Sequence, residues 1–293
     1  MKAYLFPGQG SQFPGMGKVL FERFEIAKEM FQAADKILGF NLSTILIEGS
    51  KEELQQTMVT QPAIYLYSLI CVKVMASEFK PDALAGHSLG EFSALTAAGT
   101  INFETGLKLV YERAAAMQKA CEQTEGTMAA VLGLKDDIVE EICQQSTGVV
   151  VAANYNCPGQ LVISGDVVAV AKACEDLKAA GAKRALILNV SGAFHSPLME
   201  PAKNKLAEAI QSIDFSAPKC PIYQNTTAKA VYDPEEIQKN LISQLTTPVR
   251  WTQSINAMIK AGITDYVEVG PGKVLQGLVQ KISKEVSVSG AKI

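Results

Sequence analysis

Gly86-His87-Ser88-Leu89-Gly90 sets a serine between two glycines, where the apolar run Ala83-Leu84-Ala85 gives way to a helical pattern from Glu91 to Ala98. Strand, sharp turn and helix form the setting in which Gly-x-Ser-x-Gly works as a nucleophile elbow. Glycines suit the flanks because the serine backbone is strained there and neighbouring side chains would collide. A hydroxyl presented this way heads a helix, whose free N–H groups receive a developing negative charge. The bland alternative is an ordinary strand-to-helix turn.

A serine hydroxyl is a weak nucleophile and needs an adjacent base. The chain has only two histidines. His87 neighbours Ser88 directly, and adjacent side chains at a strand end point apart, so it reads as a local packing or hydrogen-bonding residue. His195 lies in Ser191-Gly192-Ala193-Phe194-His195-Ser196-Pro197. Ser196-Pro197 is a helix start, which sets His195 just outside a helix N-terminus; that dipole favours the neutral, proton-accepting imidazole. His195 is therefore the expected base. No acid stands in a motif to orient it: Asp214, Asp233 and Asp265 are in usable order, and a backbone carbonyl would serve equally well.

Arg113 bears on the substrate. The pattern from Phe103 to about Gln123 is a helix with an apolar stripe of Phe103, Leu107, Val110, Ala114, Met117 and Cys121. Arg113 falls on the flank of that stripe, partly facing the interior, and a guanidinium there needs an anionic partner. Two readings stand: a structural salt bridge, or a bidentate clamp for a carboxylate carried by the substrate. The loop Gly8-Gln9-Gly10-Ser11-Gln12 and the segment Gly270-Pro271-Gly272-Lys273 lack the spacing of phosphate loops. The first of these follows a strand beside the elbow, where a backbone N–H can join that of Leu89 in an oxyanion hole.

The surrounding elements must bring these groups together. Ala3 to Phe6 reads as a strand, Lys18 to about Leu38 and Gln61 to Glu78 as helices, and Pro81 opens the strand leading to Ser88. Alternation of this kind predicts a parallel α/β sheet covered on both faces. The rhythm changes between about Gly126 and Val190. Strands are expected over Thr127–Leu134, Val149–Asn154, Gln160–Ser164 and Lys183–Val190, with helices over Asp136–Gln145 and Val167–Ala180. The order β-α-β-β-α-β is that of a ferredoxin-like unit. The expected organisation is a body of residues 1–125 and 191–293 with an inserted subdomain over 126–190, and domain junctions favour ligand sites.

The chain has 293 residues, 48% of them apolar, and a formal net charge of −3. That charge offers nothing to neutralise a phosphate backbone, so nucleic acid is not an expected partner. No run approaches the roughly eighteen apolar residues of a membrane span, and Pro7-Gly8 interrupts any signal-peptide core. The six cysteines (71, 121, 143, 157, 174 and 220) are scattered, which predicts reduced thiols and no metal site. A cytoplasmic protein is expected, with monomer as the default state.

Five segments taken in order resemble the malonyl-CoA:acyl-carrier-protein transacylase family. They are Phe6-Pro7-Gly8-Gln9-Gly10-Ser11-Gln12, Gly86 to Glu91, Gly192-Ala193-Phe194-His195-Ser196, Gln244-Leu245-Thr246-Thr247-Pro248-Val249 and Glu268-Val269-Gly270-Pro271-Gly272. The resemblance spans almost the whole chain. It implies a hydrolase-like α/β body with a ferredoxin-like insert, and no cofactor, malonyl-CoA being a substrate. By position it implies that Ser88 is acylated, that His195 is its base and that Arg113 meets the malonyl carboxylate. It implies backbone oxyanion donors at Gln9 and Leu89, and a Gln244 main-chain carbonyl orienting the histidine. Gly-Ala-Phe-His is similar to the malonyl-preferring pattern, in which the bulky residue before His leaves little room for an α-methyl group. The expected partner is a phosphopantetheinylated acyl carrier protein, and the expected setting a free-standing enzyme of fatty-acid synthesis.

Two rivals share these features. A serine esterase or thioesterase has the elbow and base but no use for an interior cation such as Arg113. A non-catalytic scaffold that binds carrier proteins has no need to keep Ser88 and His195 together.

Overall fold

The strand Lys2–Phe6 lies at the centre of the larger sheet, its residues alternating between two buried cores. Tyr4 and Phe6 face one core and Ala3 and Leu5 the other, which is the burial expected of a strand covered on both faces. The computed structural model describes residues 1–293. Across the sheet the strands run Ser287–Gly290, Asp265–Glu268, Lys2–Phe6, Ala83–Gly86, Ile222–Tyr223 and Ala230–Val231. All neighbours pair in parallel except the last two, which form an antiparallel pair at the edge. The chain is thus α/β with a mixed, mostly parallel sheet.

A separate four-stranded antiparallel sheet occupies the middle of the chain, in the order Val150–Cys157, Gln160–Asp166, Gly126–Leu132 and Arg184–Ile187. Two helices, Asp136–Gln145 and Val167–Ala179, close a third core over it. The hairpin turn is Pro158-Gly159, since the first of its strands extends to Cys157. The last strand is shorter than the sequence suggests and ends at Ile187.

Two helices differ from their sequence patterns. Lys18–Leu38 is divided at Phe24, whose extended backbone (φ −127°, ψ 120°) ends one helix and opens the next. The pattern starting at Gln61 begins earlier, at Thr57, because Pro62 sits inside the helix and not at its start. That helix and its 3-10 continuation, Thr57–Glu78, are long and apolar enough to cross a membrane, which corrects the expectation that no segment is. Its hydropathy is spread among Ser, Thr and Tyr instead of forming one uninterrupted apolar run. Two thirds of the critical window (67%) is buried inside the protein, and the helix packs against Phe103–Gln123 as part of the main core.

Candidate active site

Ser88 sits at the end of Ala83–Gly86 and just before the helix Gly90–Ala97, with φ +52°. A positive φ is rare for a residue with a Cβ and is held only by surroundings that leave no alternative. Its glycine neighbours are forced by contact: a Cβ on Gly86 would stand 1.8 Å from the Gly90 carbonyl carbon. One on Gly90 would stand 2.0 Å from the Phe6 carbonyl oxygen, where the helix start crosses the first strand. A Cβ on Gly8 would lie 2.5 Å from the His87 carbonyl oxygen, so the loop after the first strand rests directly on the elbow.

His195 also has a positive φ, +57°. Its loop is anchored by Ser196 Oγ donating to the Ala193 carbonyl at 2.6 Å. Gly192 presses so closely on Cys121 that a Cβ would meet its Sγ at 2.2 Å. The imidazole Nε2 stands 2.8 Å from Ser88 Oγ, and Nδ1 stands 2.9 Å from the Gln244 main-chain carbonyl. A carbonyl accepts only, so Nδ1 carries the proton and Nε2 is left to accept from the serine. None of Asp214, Asp233 or Asp265 hydrogen-bonds this ring. Burial, then the neighbouring Arg113 cation, push the imidazole down to about 3. The sequence pointed to a helix dipole, and a 3-10 turn, Pro197–Met199, does follow directly and runs into the helix Glu200–Gln211, but burial and Arg113 lead the shift. His87 turns elsewhere: its Nε2 meets Asn156 Oδ1 at 2.9 Å and its ring lies against Trp251.

Arg113 lies deeper than its helical phase suggests, only 1% exposed. The helix Phe103–Gln123 is covered on this side by Thr57–Met75, so the flank of the apolar stripe is itself interior. Arg113 Nη1 donates to Gln61 Oε1 at 2.7 Å, and Nη2 to Ser88 Oγ at 3.0 Å and Gln244 Oε1 at 3.1 Å. Its guanidinium also stands over the Phe92 ring. Every one of these partners is neutral, and no ion pair in the structure includes Arg113. Its Nε–H is buried with no partner. Burial pulls the guanidinium down to about 10, opposed by the more distant Glu91 carboxylate. Of the two sequence readings, the structural salt bridge is absent.

The amides of Gln9 and Leu89 make no hydrogen bond within the protein. Beside Gln9 opens a groove of about 810 Å³, bordered also by Gln56, Thr57, Gln118, Asn189 and Ser191. No cluster of three or more potential metal-ligating side chains exists, and all six cysteines are free thiols.

Residues 3–292 match the family described as "Acyl transferase domain". The malonyl CoA-acyl carrier protein transacylase of Bacillus subtilis is 44% identical over 288 residues, covering 97% of this chain and 91% of that protein. This chain belongs to the malonyl-CoA:acyl-carrier-protein transacylase family. Its fold is likewise that of solved transacylases. The acyl-carrier-protein S-malonyltransferase of Bartonella henselae superposes with a TM-score of 0.96 at 41% identity, covering 100% of this chain and 95% of that one. A malonyl-transacylase solved in complex with its type II PKS acyl-carrier protein gives a TM-score of 0.95 at 38% identity, with the same coverage.

The candidate site also contains residues that the sequence motifs do not single out. Gln61 holds Arg113 and donates through Nε2 to Met117 Sδ at 3.3 Å. Asn225 and Glu91 meet beneath the elbow: the Asn225 amide donates to Glu91 Oε2 at 2.8 Å, and Gln224 Nε2 to Glu91 Oε1 at 3.0 Å. Glu91 is wholly buried, and burial pushes its carboxyl up to about 7 despite those donors and Arg113. The signal in the sequence was an acidic residue on the first turn of a helix with apolar neighbours all round.

Proposed function

We propose that this protein transfers a malonyl group from malonyl-CoA to the phosphopantetheine thiol of an acyl carrier protein, through a malonyl ester on Ser88. The observation that carries the reading is Arg113, a buried cation with only neutral partners, 3.0 Å from a hydroxyl that is itself 2.8 Å from an imidazole. A nucleophile paired with a base suits any serine acyl transfer, whereas an interior guanidinium that makes no ion pair suits an acyl group that brings its own carboxylate. Shared family with the Bacillus subtilis transacylase supports the same substrates.

In the first step neutral His195 takes the Ser88 proton through Nε2 as Oγ attacks the thioester carbonyl. The Gln9 and Leu89 amides receive the oxyanion, and the Gln244 carbonyl stabilises the charged ring through Nδ1. The carbon–sulfur bond breaks, His195 returns its proton to the sulfur and coenzyme A leaves. In the second step the carrier thiol gives its proton to His195 and attacks the ester; the Ser88 oxygen leaves and takes that proton back. Phe194, beside His195 and mostly buried, would crowd an α-methyl substituent, a discrimination worth roughly 1–3 kcal/mol.

Residues 126–190 are read as a ferredoxin-like subdomain inserted in a hydrolase-like body made of 1–125 and 191–293. Its strand order, all-antiparallel pairing and separate core support this. The groove beside Gln9 is bordered by both parts and suits the pantetheine arm. The protein is read further as a cytoplasmic supplier of fatty-acid synthesis that works without a cofactor. Intact-mass measurement after incubation with malonyl-, methylmalonyl- and acetyl-CoA in competition tests the reading. The expected product is a malonyl adduct on Ser88 that an acyl carrier protein discharges; transfer to water alone would indicate an esterase, and no adduct a scaffold.

A further inference from the structure

Asn225 follows the strand Ile222–Tyr223, which pairs in parallel with the strand leading to Ser88 in the register Leu84↔Ile222 and Ala85↔Tyr223. Carried past the strand ends, that register brings Asn225 alongside the elbow. Its carboxamide then spans the turn: Nδ2 donates to the Gly86 carbonyl at 2.6 Å, and Oδ1 accepts from the Ser88 amide at 2.7 Å. The backbone of Asn225 is engaged as fully, its N–H by Glu91 and its carbonyl by the Arg250 amide at 3.0 Å. Behind it, Glu91 accepts from Gln224, whose Oε1 accepts in turn from Asn240 Nδ2 at 2.9 Å. Every polar group of Asn225 is used, and two of them grip the residues on which the strain of the elbow falls.

We propose that Asn225 is a positioning residue for the nucleophile, its carboxamide tying Gly86 to Ser88 and so setting where the serine hydroxyl stands. A residue at φ +52° relaxes toward ordinary backbone unless held. The Ser88 amide and the Gly86 carbonyl both meet this one carboxamide. A carboxamide, with a donor and an acceptor side by side on one planar head, holds both. The buried Glu91 fixes the Asn225 backbone, so the brace cannot swing with the turn it supports. Released, the hydroxyl would drift from His195 Nε2, and misplacement by about 1 Å at a reacting atom costs on the order of 10² in rate.

The inference rests on Ser88 acting as the nucleophile of the proposed transfer, so its test uses two reagents. Asn225→Ala and Asn225→Asp are measured for the saturating rate of malonyl loading by rapid-quench intact mass. The half-saturating malonyl-CoA concentration, the melting temperature and the rate of labelling by a fluorophosphonate ester are measured alongside. Asn225→Asp keeps the acceptor and nearly the same shape, which covers the case in which the alanine variant does not fold. Asn240→Ala, at the far end of the network, controls for a general loss of stability. The expected result is a saturating loading rate and a labelling rate both lower by about 10² in Asn225→Ala. Half-saturation stays within about twofold, and Asn240→Ala loads like the unsubstituted protein at any comparable loss of melting temperature. Loading within about threefold of normal in a folded Asn225 variant would overturn the proposal. So would a loss confined to half-saturation, or one shared equally by Asn240→Ala. If the unsubstituted protein takes no malonyl group, the malonyl reading fails while the fluorophosphonate comparison still decides the role of Asn225.

Discussion

Arg113 Nη2 and His195 Nε2 flank one atom, Ser88 Oγ, at 3.0 and 2.8 Å. The hydroxyl therefore donates to the imidazole while it accepts from a cation. That cation stands ready for a carboxylate beside the hydroxyl.

Replacing Arg113 separates the two uses. Arg113→Ala is expected to slow malonyl loading by about 10² while changing acetyl loading by about threefold or less, since only malonyl loses charge-assisted hydrogen bonds. Arg113→Lys recovers little, because an ammonium offers no bidentate fork. Loading rates by intact mass with the two thioesters check this, and equal losses would assign Arg113 to structure alone.

The histidine dictates the pH behaviour. Held down to about 3, its ring stays neutral through the mildly acidic range, so His195 is expected to add no titration of its own to malonyl loading near 6.5, the ordinary histidine value. The unfolded ring takes up a proton at about 6.5 and the folded one does not, so the unfolded state binds more protons between 6.5 and about 3. The stability concerned is complete above 6.5 and is lost as pH falls through that window. Melting curves of the native protein and His195→Ala between pH 7.5 and 5 are the check, with the variant losing less on acidification.

Gln244 has two separable jobs. Its carbonyl receives His195 Nδ1–H, while its side chain accepts from Arg113 and donates to the Ser88 carbonyl at 3.0 Å. Gln244→Ala removes only the second, and a loss of about tenfold in saturating loading is expected, with an unchanged pH profile. A new titration near 6.5 would mean that the ring had lost its neutral state.

Gly90→Ala probes the elbow where it crosses the first strand. The added methyl would stand 2.0 Å from the Phe6 carbonyl oxygen, so backbone must shift, at a cost on the order of 3 kcal/mol. Thermal or urea melting gives the number; a loss under about 1 kcal/mol would mean that the crossing yields easily.

The candidate site residues were legible because each sits in a local pattern: Ser88 between glycines after a strand, His195 before Ser-Pro, Leu89 next to Ser88. The strand and helix order over 126–190 was legible for the same reason, alternation and turn residues being local. Arg113 was half legible, since helical phase gives direction but not what covers the flank, here Thr57–Met75. The first turn of that helix, Thr57 to Thr60, was missed, and Pro62 is accommodated inside it. The division at Phe24 left no mark in the periodicity. Asn225 could not be found at all, because its partners lie 137 and 139 positions away and meet it only through sheet register.

An interior cation hydrogen-bonded only to neutral groups leaves the resting fold poorer than it could be. An acyl group on Ser88 is therefore expected to register in heat resistance, with a malonylated chain melting above its acetylated twin. The thermometer thus distinguishes two cargoes that differ by one carboxyl group.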